Sequence, residues 1–465
     1  MEEVRPVLSL IEKDFESAVS RYVEFLRIPS VSTDPAYKEH VRRAAQWLAQ
    51  EFRSMGFDVA LHETPGHPIL LARHDATASG APHLLYYGHY DVQPPEPLEL
   101  WEHPPFEPAI VDGPYGKRAV ARGAVDDKGQ VMTFIEAFRA WKAVHNGFPV
   151  KLTVLIEGEE ESGSLSLPAF LTAQASSLSE AGAAIITDTN AWDIDTPAIT
   201  YRLRGNVYVE ATLEGPNRDL HSGLYGGAVI NPINALAEIL GQLHDRDGRV
   251  QLPGFYDDVA ELSVQERKAW ADLSFDEGGF LGDIGLTQSV GEVGYTVLER
   301  LWARPTCDLN GIWGGYTGPG SKTVIASRAS AKLSFRTVPR QSPTKILQSL
   351  KKFLDYRTPP DCKWRIEEFG ASGGILVPVD SPFMQAARAG LEDVYKRPAA
   401  MVGTGGSIPV VGLLQKQLGL DSILVGFGLS DDRIHSPNEK FELKCLKNGI
   451  LSQAAILGRM ANVKA

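Results

Sequence analysis

Five short segments place carboxylates or histidines directly after apolar, strand-like runs. They are GHYD (His89, Asp91), GAVDDKG (Asp126, Asp127), IEGEEESGS (Glu159, Glu160, Glu161), IITDT (Asp188) and DRIHSPNE (His435). Two imidazoles with at least three carboxylates and no thiolate make a nitrogen–oxygen donor set that suits hydrolytic zinc, cobalt or manganese. A bridging carboxylate, flanked on each side by one histidine and one further carboxylate, would hold two cations roughly 3.5–4 Å apart. A remaining carboxylate, close to the cations but not consumed as a ligand, would take the proton of the bridging water.

Each segment alone has an ordinary explanation. An HxD pair is most often a loop or a satisfied hydrogen bond. Acidic runs favour the first turn of a helix, and DD before a helix is commonly a cap. Asp188 and the HSPNE stretch also read as caps. Five such clusters, all following buried strands, are harder to explain as coincidence. The other histidines (His40, His62, His67, His74, His83, His103, His145 and His244) lack that setting and read as surface or loop residues.

The elements that must position these groups follow from periodicity. VLSLIEKDFESAVSRYVEFLRI and HVRRAAQWLAQEFRSMGF carry apolar residues at helical spacing. DVALHE, PILLARH, HLLYYGH, VKLTVLIEG and GAAIITD read as strands, with DDKGQVMTFIEAFRAWKAV a helix between them. Alternating strands and helices predict an α/β domain with a mostly parallel central sheet flanked by helices. Sites in such sheets form beyond the carboxyl ends of the strands, where the five segments would converge. From about Ala198 the pattern changes. AITYRLRGNVYVEATLEG alternates like an antiparallel strand pair, and SKTVIASRASAKLSFRTVP, PTKILQSLKKFLDYR and KWRIEEFG continue an α+β pattern. The expected organisation is a discontinuous domain of residues 1–197 and 372–465, interrupted by an inserted domain of residues 198–371.

The chain has 465 residues, too many for one simple core, and a net charge of −12. That charge argues against nucleic acid and anionic membranes as partners. No apolar run reaches the ~18 residues of a membrane span. The three cysteines (Cys307, Cys362, Cys445) are far apart, which predicts neither disulfides nor a thiolate metal site, and points to a cytoplasmic location.

The motifs GHYDVQPP, GAVDDKG, EGEEESGS, DLHSGLYGG and HSPNE, in this order, resemble the zinc metallopeptidases that include carnosinase, cytosolic non-specific dipeptidase, carboxypeptidase G and aminoacylase. The resemblance runs from about Asp14 to Arg459, and DLHSGLYGG with GGSIPV points to the dipeptidase branch. It implies a phosphorylase/hydrolase-like catalytic domain with an inserted ferredoxin-like domain that serves as lid and dimer interface. It also implies two divalent ions per subunit, zinc first, with manganese or cobalt also fitting. His89 and Asp188 would ligate one ion, Glu161 and His435 the other, and Asp126 both. Glu160 would be the general base acting on the bridging water, and Asp91 would orient His89. The Asp126–Asp127 peptide would be cis. His221 would reach the other subunit's site and stabilise the oxyanion. Arg336 would grip the substrate's terminal carboxylate, with Thr323 and Ser407 as further substrate contacts.

The implied function is hydrolysis of dipeptides or similar short peptides by a homodimeric metallopeptidase. The alternative is an N-acyl-amino-acid deacylase or carboxypeptidase of the same family. The chain departs from its relatives in two places. YGKRAVARGAVDDKG is longer than the usual YGRGATDDKG, which lengthens a hairpin beside the site. Gly403 and Thr404 stand where dipeptidase relatives often carry an arginine and a glutamate.

Overall fold

The computed structural model describes residues 2–463. The chain divides into two compact units. One comprises the residues up to Tyr201, Val377–Val402 and those from Leu413 onward; the other comprises Arg202–Leu376 with Gly403–Gly412.

In the first unit the strands Asp58–His62, Ile69–His74, Lys151–Glu157, His83–His89, Ala183–Ile186, Ser422–Leu424 and Ala198–Leu203 lie side by side in that order. The sheet is mixed. Its centre is parallel, where His83–His89 pairs with Lys151–Glu157 and with Ala183–Ile186, and the latter with Ser422–Leu424. The pairings at Asp58–His62 and Ala198–Leu203 are antiparallel. Every residue of His83–His89 is buried, as expected of a strand covered on both faces. Tyr86 packs edge-on against Phe138 of the helix Lys128–His145 at a ring separation of 5.0 Å. The helices Val4–Leu26 and Leu443–Met460 also pack on Lys128–His145.

A separate three-stranded antiparallel sheet orders Lys440–Glu442, Gly116–Val120 and Ala109–Gly113. The hairpin expected beside YGKRAVARG runs over Ala109–Val120. Its second strand pairs Val120 with Lys440 and Ala119 with Phe441, just beyond the HSPNE segment.

The second unit holds a four-stranded antiparallel sheet in the order Thr306–Gly314, Arg328–Thr337, Gly205–Glu214, Lys363–Ser372. With the helices Pro232–Leu240 and Pro343–Arg357, the chain order is β-α-β-β-α-β, the ferredoxin-like arrangement. Val207, Val209 and Ala211 on one strand face meet Leu236, Ile239, Leu350 and Phe353 in its core. The expected strand pair within residues 198–215 does not form. Ala198–Leu203 joins the large sheet and Gly205–Glu214 joins the smaller one, because the chain changes sheets at Arg204 instead of turning back.

Candidate metal centre

The parallel strands end level with one another. His89, the last residue of its strand, sits opposite Glu157, the last residue of the next. Glu160 and Glu161 follow Glu157 in a short turn, and Asp188 follows the strand Ala183–Ile186. The polar residues after the apolar runs thus reach one edge of the sheet, as the strand-end spacing required.

There the side chains form two clusters. His89, Asp126 and Asp188 each offer a ligand atom within 4.8 Å of the others, and so do Asp126, Glu161 and His435. Asp126 belongs to both. Its Oδ1 lies 3.2 Å from His89 Nε2, and its Oδ2 lies 3.0 Å from His435 Nε2. His435 Nε2 is also 3.3 Å from Glu161 Oε2. The Asp126–Asp127 peptide is cis.

Around this set, other groups hold the ligands in place. His89 donates its backbone N–H to Asp127 Oδ2 (3.1 Å). Its Nδ1 lies 3.1 Å from the Asp91 carbonyl oxygen and 3.4 Å from Asp91 Oδ1. The buried Asp91 carboxylate accepts the backbone N–H groups of Glu160 (3.3 Å) and Glu161 (3.0 Å). Gln93 donates from Nε2 to Glu161 Oε2 at 2.8 Å. Sequence reasoning missed Gln93, although it lies within the quoted GHYDVQP stretch. A neutral amide carries no pattern that separates it from a loop residue.

The titratable groups reveal a crowded anionic site. Burial pushes the Glu160 carboxyl up to about 8; nearby His89 pulls it down, while Asp188, Glu161 and Asp91 push it further up. Asp188 is pushed up to about 7 by burial and by Asp126. Burial also pushes Asp126 upward, but His435 and His89 outweigh it and hold this carboxyl below its ordinary value. His435 is raised to about 10 by Asp126 and Glu161. His89 Nε2 and Glu161 Oε1 are buried without a hydrogen-bond partner. The 3.2 Å approach of His89 Nε2 to Asp126 is therefore a contact and not a hydrogen bond. Unpartnered buried donor atoms, two imidazoles and clustered carboxylates fit divalent cations.

The other candidate residues lie in the second unit. His221 accepts the Gly223 N–H on Nδ1 (2.9 Å), and its strand pairs with Val324, beside Thr323. Ser222 donates its N–H to the Thr323 carbonyl at 3.0 Å, so His221 and Thr323 are neighbours. Arg336 sits opposite Asn206 in the sheet. The buried Arg204 donates to the carbonyl of Gly405, on the loop that carries Ser407, and to the carbonyls of Arg300 and Arg304, in and just after the helix Val297–Trp302. A Cβ on Gly403 would lie 2.5 Å from Trp302 Cβ, so a residue with a side chain does not fit this packing unless Trp302 shifts.

Among the remaining histidines, His83 corrects the surface-or-loop reading. It is buried in the central strand and its Nε2 contacts Thr153 Oγ1 at 2.8 Å. His62 and His74 also lie in strands, and His40 and His145 in helices.

An α/β sheet that ends in two carboxylate–histidine clusters sharing one aspartate defines a metal-dependent hydrolase. Residues 85–459 match the model of peptidase family M20/M25/M40, and the chain belongs to that family, as a metal-dependent peptidase. It is 31% identical over 457 residues to the Cys-Gly metallodipeptidase DUG1 of Saccharomyces cerevisiae, covering 94% of each chain. The solved structure of that yeast dipeptidase superposes with a TM-score of 0.84 at 29% identity over 100% of both chains. The Beta-Ala-His dipeptidase of Homo sapiens is 27% identical, covering 95% of this chain and 89% of its own. An M20 family metallo-carboxypeptidase from Sulfolobus solfataricus is 31% identical, with a TM-score of 0.83, over 96% of this chain and 99% of its own.

Proposed function

We propose that this chain is a dipeptidase holding two zinc ions, with His89 and Asp188 ligating one, Glu161 and His435 the other, and Asp126 both. The observation that carries this reading is the sharing of Asp126, whose two oxygens face different histidines. Divalent cations at such a centre polarise a carbonyl and lower the pKa of water. Glu160 receives the proton of the attacking water at its carboxylate. Its position beside Glu161, in the turn fixed by Asp91, keeps it close to the centre. Asp91 also orients the His89 ring.

In the same reading, residues 198–371 form the lid and homodimer domain. His221 stabilises the oxyanion across the dimer, Arg336 grips the terminal carboxylate, and Thr323 and Ser407 contact the substrate. The location is cytoplasmic; in accord with this, all three cysteines are free, and Cys307 and Cys445 are buried. No helix among the described residues is long and apolar enough to cross a membrane.

A second reading, carboxypeptidase or N-acyl-amino-acid deacylase, is favoured by the likeness to the Sulfolobus metallo-carboxypeptidase and by the small residue at Gly403. A panel of free dipeptides, longer peptides and N-acetyl amino acids, run with zinc and then manganese, separates the two. The dipeptidase reading expects the highest kcat/KM on free dipeptides. Preference for blocked or longer substrates would replace it with the second. Solution mass and the activity of His221→Ala test the dimer: a fully active monomer would remove it.

A further inference from the structure

Arg122 and Glu439 are 317 positions apart, yet they form an ion pair of 2.8 Å with both side chains 1% exposed. Burying an ion pair gains little stability over an apolar pair of the same volume, so its presence asks for another role. The Glu439 surroundings supply one. Oε2 also accepts the Gly123 N–H at 3.0 Å, while Oε1 accepts the N–H groups of Val125 (2.9 Å) and Asp126 (3.1 Å). Four donors around one carboxylate leave no oxygen free to ligate a cation. An apolar replacement would fill the space but strand three backbone donors of the loop that ends in Asp126.

The same pair reaches two more segments. Arg122 Nη2 donates to the Pro94 carbonyl at 3.2 Å, on the stretch that begins with His89. Glu439 closes the segment that carries His435, where Arg433, His435 and Asn438 all have positive φ (57°, 62° and 62°). Non-glycine residues keep that conformation only when their surroundings impose it. Here the impositions are visible. Asn438 accepts the Glu102 N–H and donates to the Leu100 carbonyl, and the Glu439 carbonyl accepts the Ala121 N–H. Gly123 fits because a Cβ would lie 2.6 Å from Val92. One buried pair therefore ties the His89, Asp126 and His435 segments together.

We propose that Glu439, anchored by Arg122, is a positioning residue that sets the spacing of Asp126 and His435, and so governs retention of the cation at the Asp126–Glu161–His435 cluster. The inference rests on the metal-centre reading above.

The test is zinc stoichiometry and affinity of the full chain, by competition with a chromogenic chelator, together with the cobalt absorption spectrum and the melting of the metal-free protein. In Glu439→Gln the amide nitrogen faces donors. One zinc affinity falls about 10–100-fold, the scale for groups that support ligands without touching metal, and the cobalt spectrum of that site changes. The other ion, which keeps His89 and Asp188 and shares only Asp126, is weakened less. Arg122→Lys keeps the charge, loses the contact to Pro94 and shows a smaller loss at the same site; it carries the test alone if Glu439→Gln does not fold. Two wild-type affinities in the variants overturn the proposal. Equal weakening of both ions, in step with a lower metal-free melting temperature, overturns it as well. If the wild type binds fewer than two ions, or His435→Ala keeps both at full affinity, the metal-centre reading falls instead.

Discussion

The Asp91 carboxylate accepts the Glu161 backbone N–H at 3.0 Å, while the same residue's carbonyl oxygen lies 3.1 Å from His89 Nδ1. One aspartate thus steadies a histidine on one strand end and the acidic turn after the next. Asp91→Ala keeps that backbone carbonyl but removes the Oδ1 that lies 3.4 Å from His89 Nδ1, and it leaves the N–H groups of Glu160 and Glu161 without their acceptor. The expected result is a loss of zinc affinity or activity of about 10–100-fold, with Asp91→Asn milder because its carbonyl oxygen still accepts. Steady-state kinetics with parallel zinc titration checks it. An Asp91→Ala enzyme with wild-type kinetics and affinity would leave the residue without a positioning role.

Glu160→Gln is nearly isosteric and removes the proton acceptor proposed for the attacking water. Divalent charge nearby lowers the carboxyl from the value of about 8 that it holds without cations, so an ionised base is available near neutrality. Loss of the base is expected to reduce kcat by about 10²–10⁴-fold with zinc content unchanged. Comparable kcat in the variant would move the base to another residue.

Without cations the centre holds protons. His435 is raised to about 10 and Glu160 to about 8, so both are protonated at pH 7, and Asp188 at about 7 is partly so. Ligation needs neutral imidazole and ionised carboxylate, so zinc must displace these protons. Groups with raised pKa keep their protons until pH passes that value, so apparent zinc affinity climbs as pH rises through neutrality and falls toward acid. Calorimetric titration at pH 7, in two buffers of different ionisation enthalpy, is expected to show release of roughly one proton or more per chain. Binding heats that do not depend on the buffer would contradict it.

Much of this centre was legible because buried parallel strands are written as unbroken apolar runs, and HLLYYGH and VKLTVLIE deliver their polar residues to one sheet edge. The break at Arg204 was not legible. Residues 198–214 alternate on both sides of Gly205-Asn206, a dipeptide that reads as a tight turn, and only tertiary pairing decides that Ala198–Leu203 and Gly205–Glu214 join different sheets. His83 was misread for a related reason: a polar residue at the start of a strand looks exposed until its partner, Thr153 on the neighbouring strand, is known. Glu439 lay in plain view within HSPNE, but its three backbone donors come from a loop more than 300 positions earlier. Hydrogen bonds to backbone leave no trace in residue type, so sequence pattern could not separate Glu439 from an ordinary helix-start acid.

Arg336 is half-buried, and among the described residues no carboxylate pairs with it. Arg204 is lowered to about 10 by burial and by Arg336, with Asp308 pulling the other way; its hydrogen bonds go to backbone carbonyls, so among the described residues neither arginine is ion-paired with a carboxylate. A substrate carboxylate would supply that partner, and a planar guanidinium can hold both of its oxygens where an ammonium holds one. Arg336→Lys is therefore expected to raise KM for a dipeptide more than it lowers kcat, and Arg336→Ala to do so more strongly. Hydrogen bonds to charged groups, worth about 1.5–3 kcal/mol, put the loss in kcat/KM at about 10–150-fold. The decisive comparison is a dipeptide against its C-terminal amide. The wild type should prefer the free acid, and Arg336→Ala should treat the two alike. If the alanine variant keeps the full preference for the free acid, Arg336 does not read the carboxylate, and the cationic charge around Arg204 and Arg336 serves the fold alone.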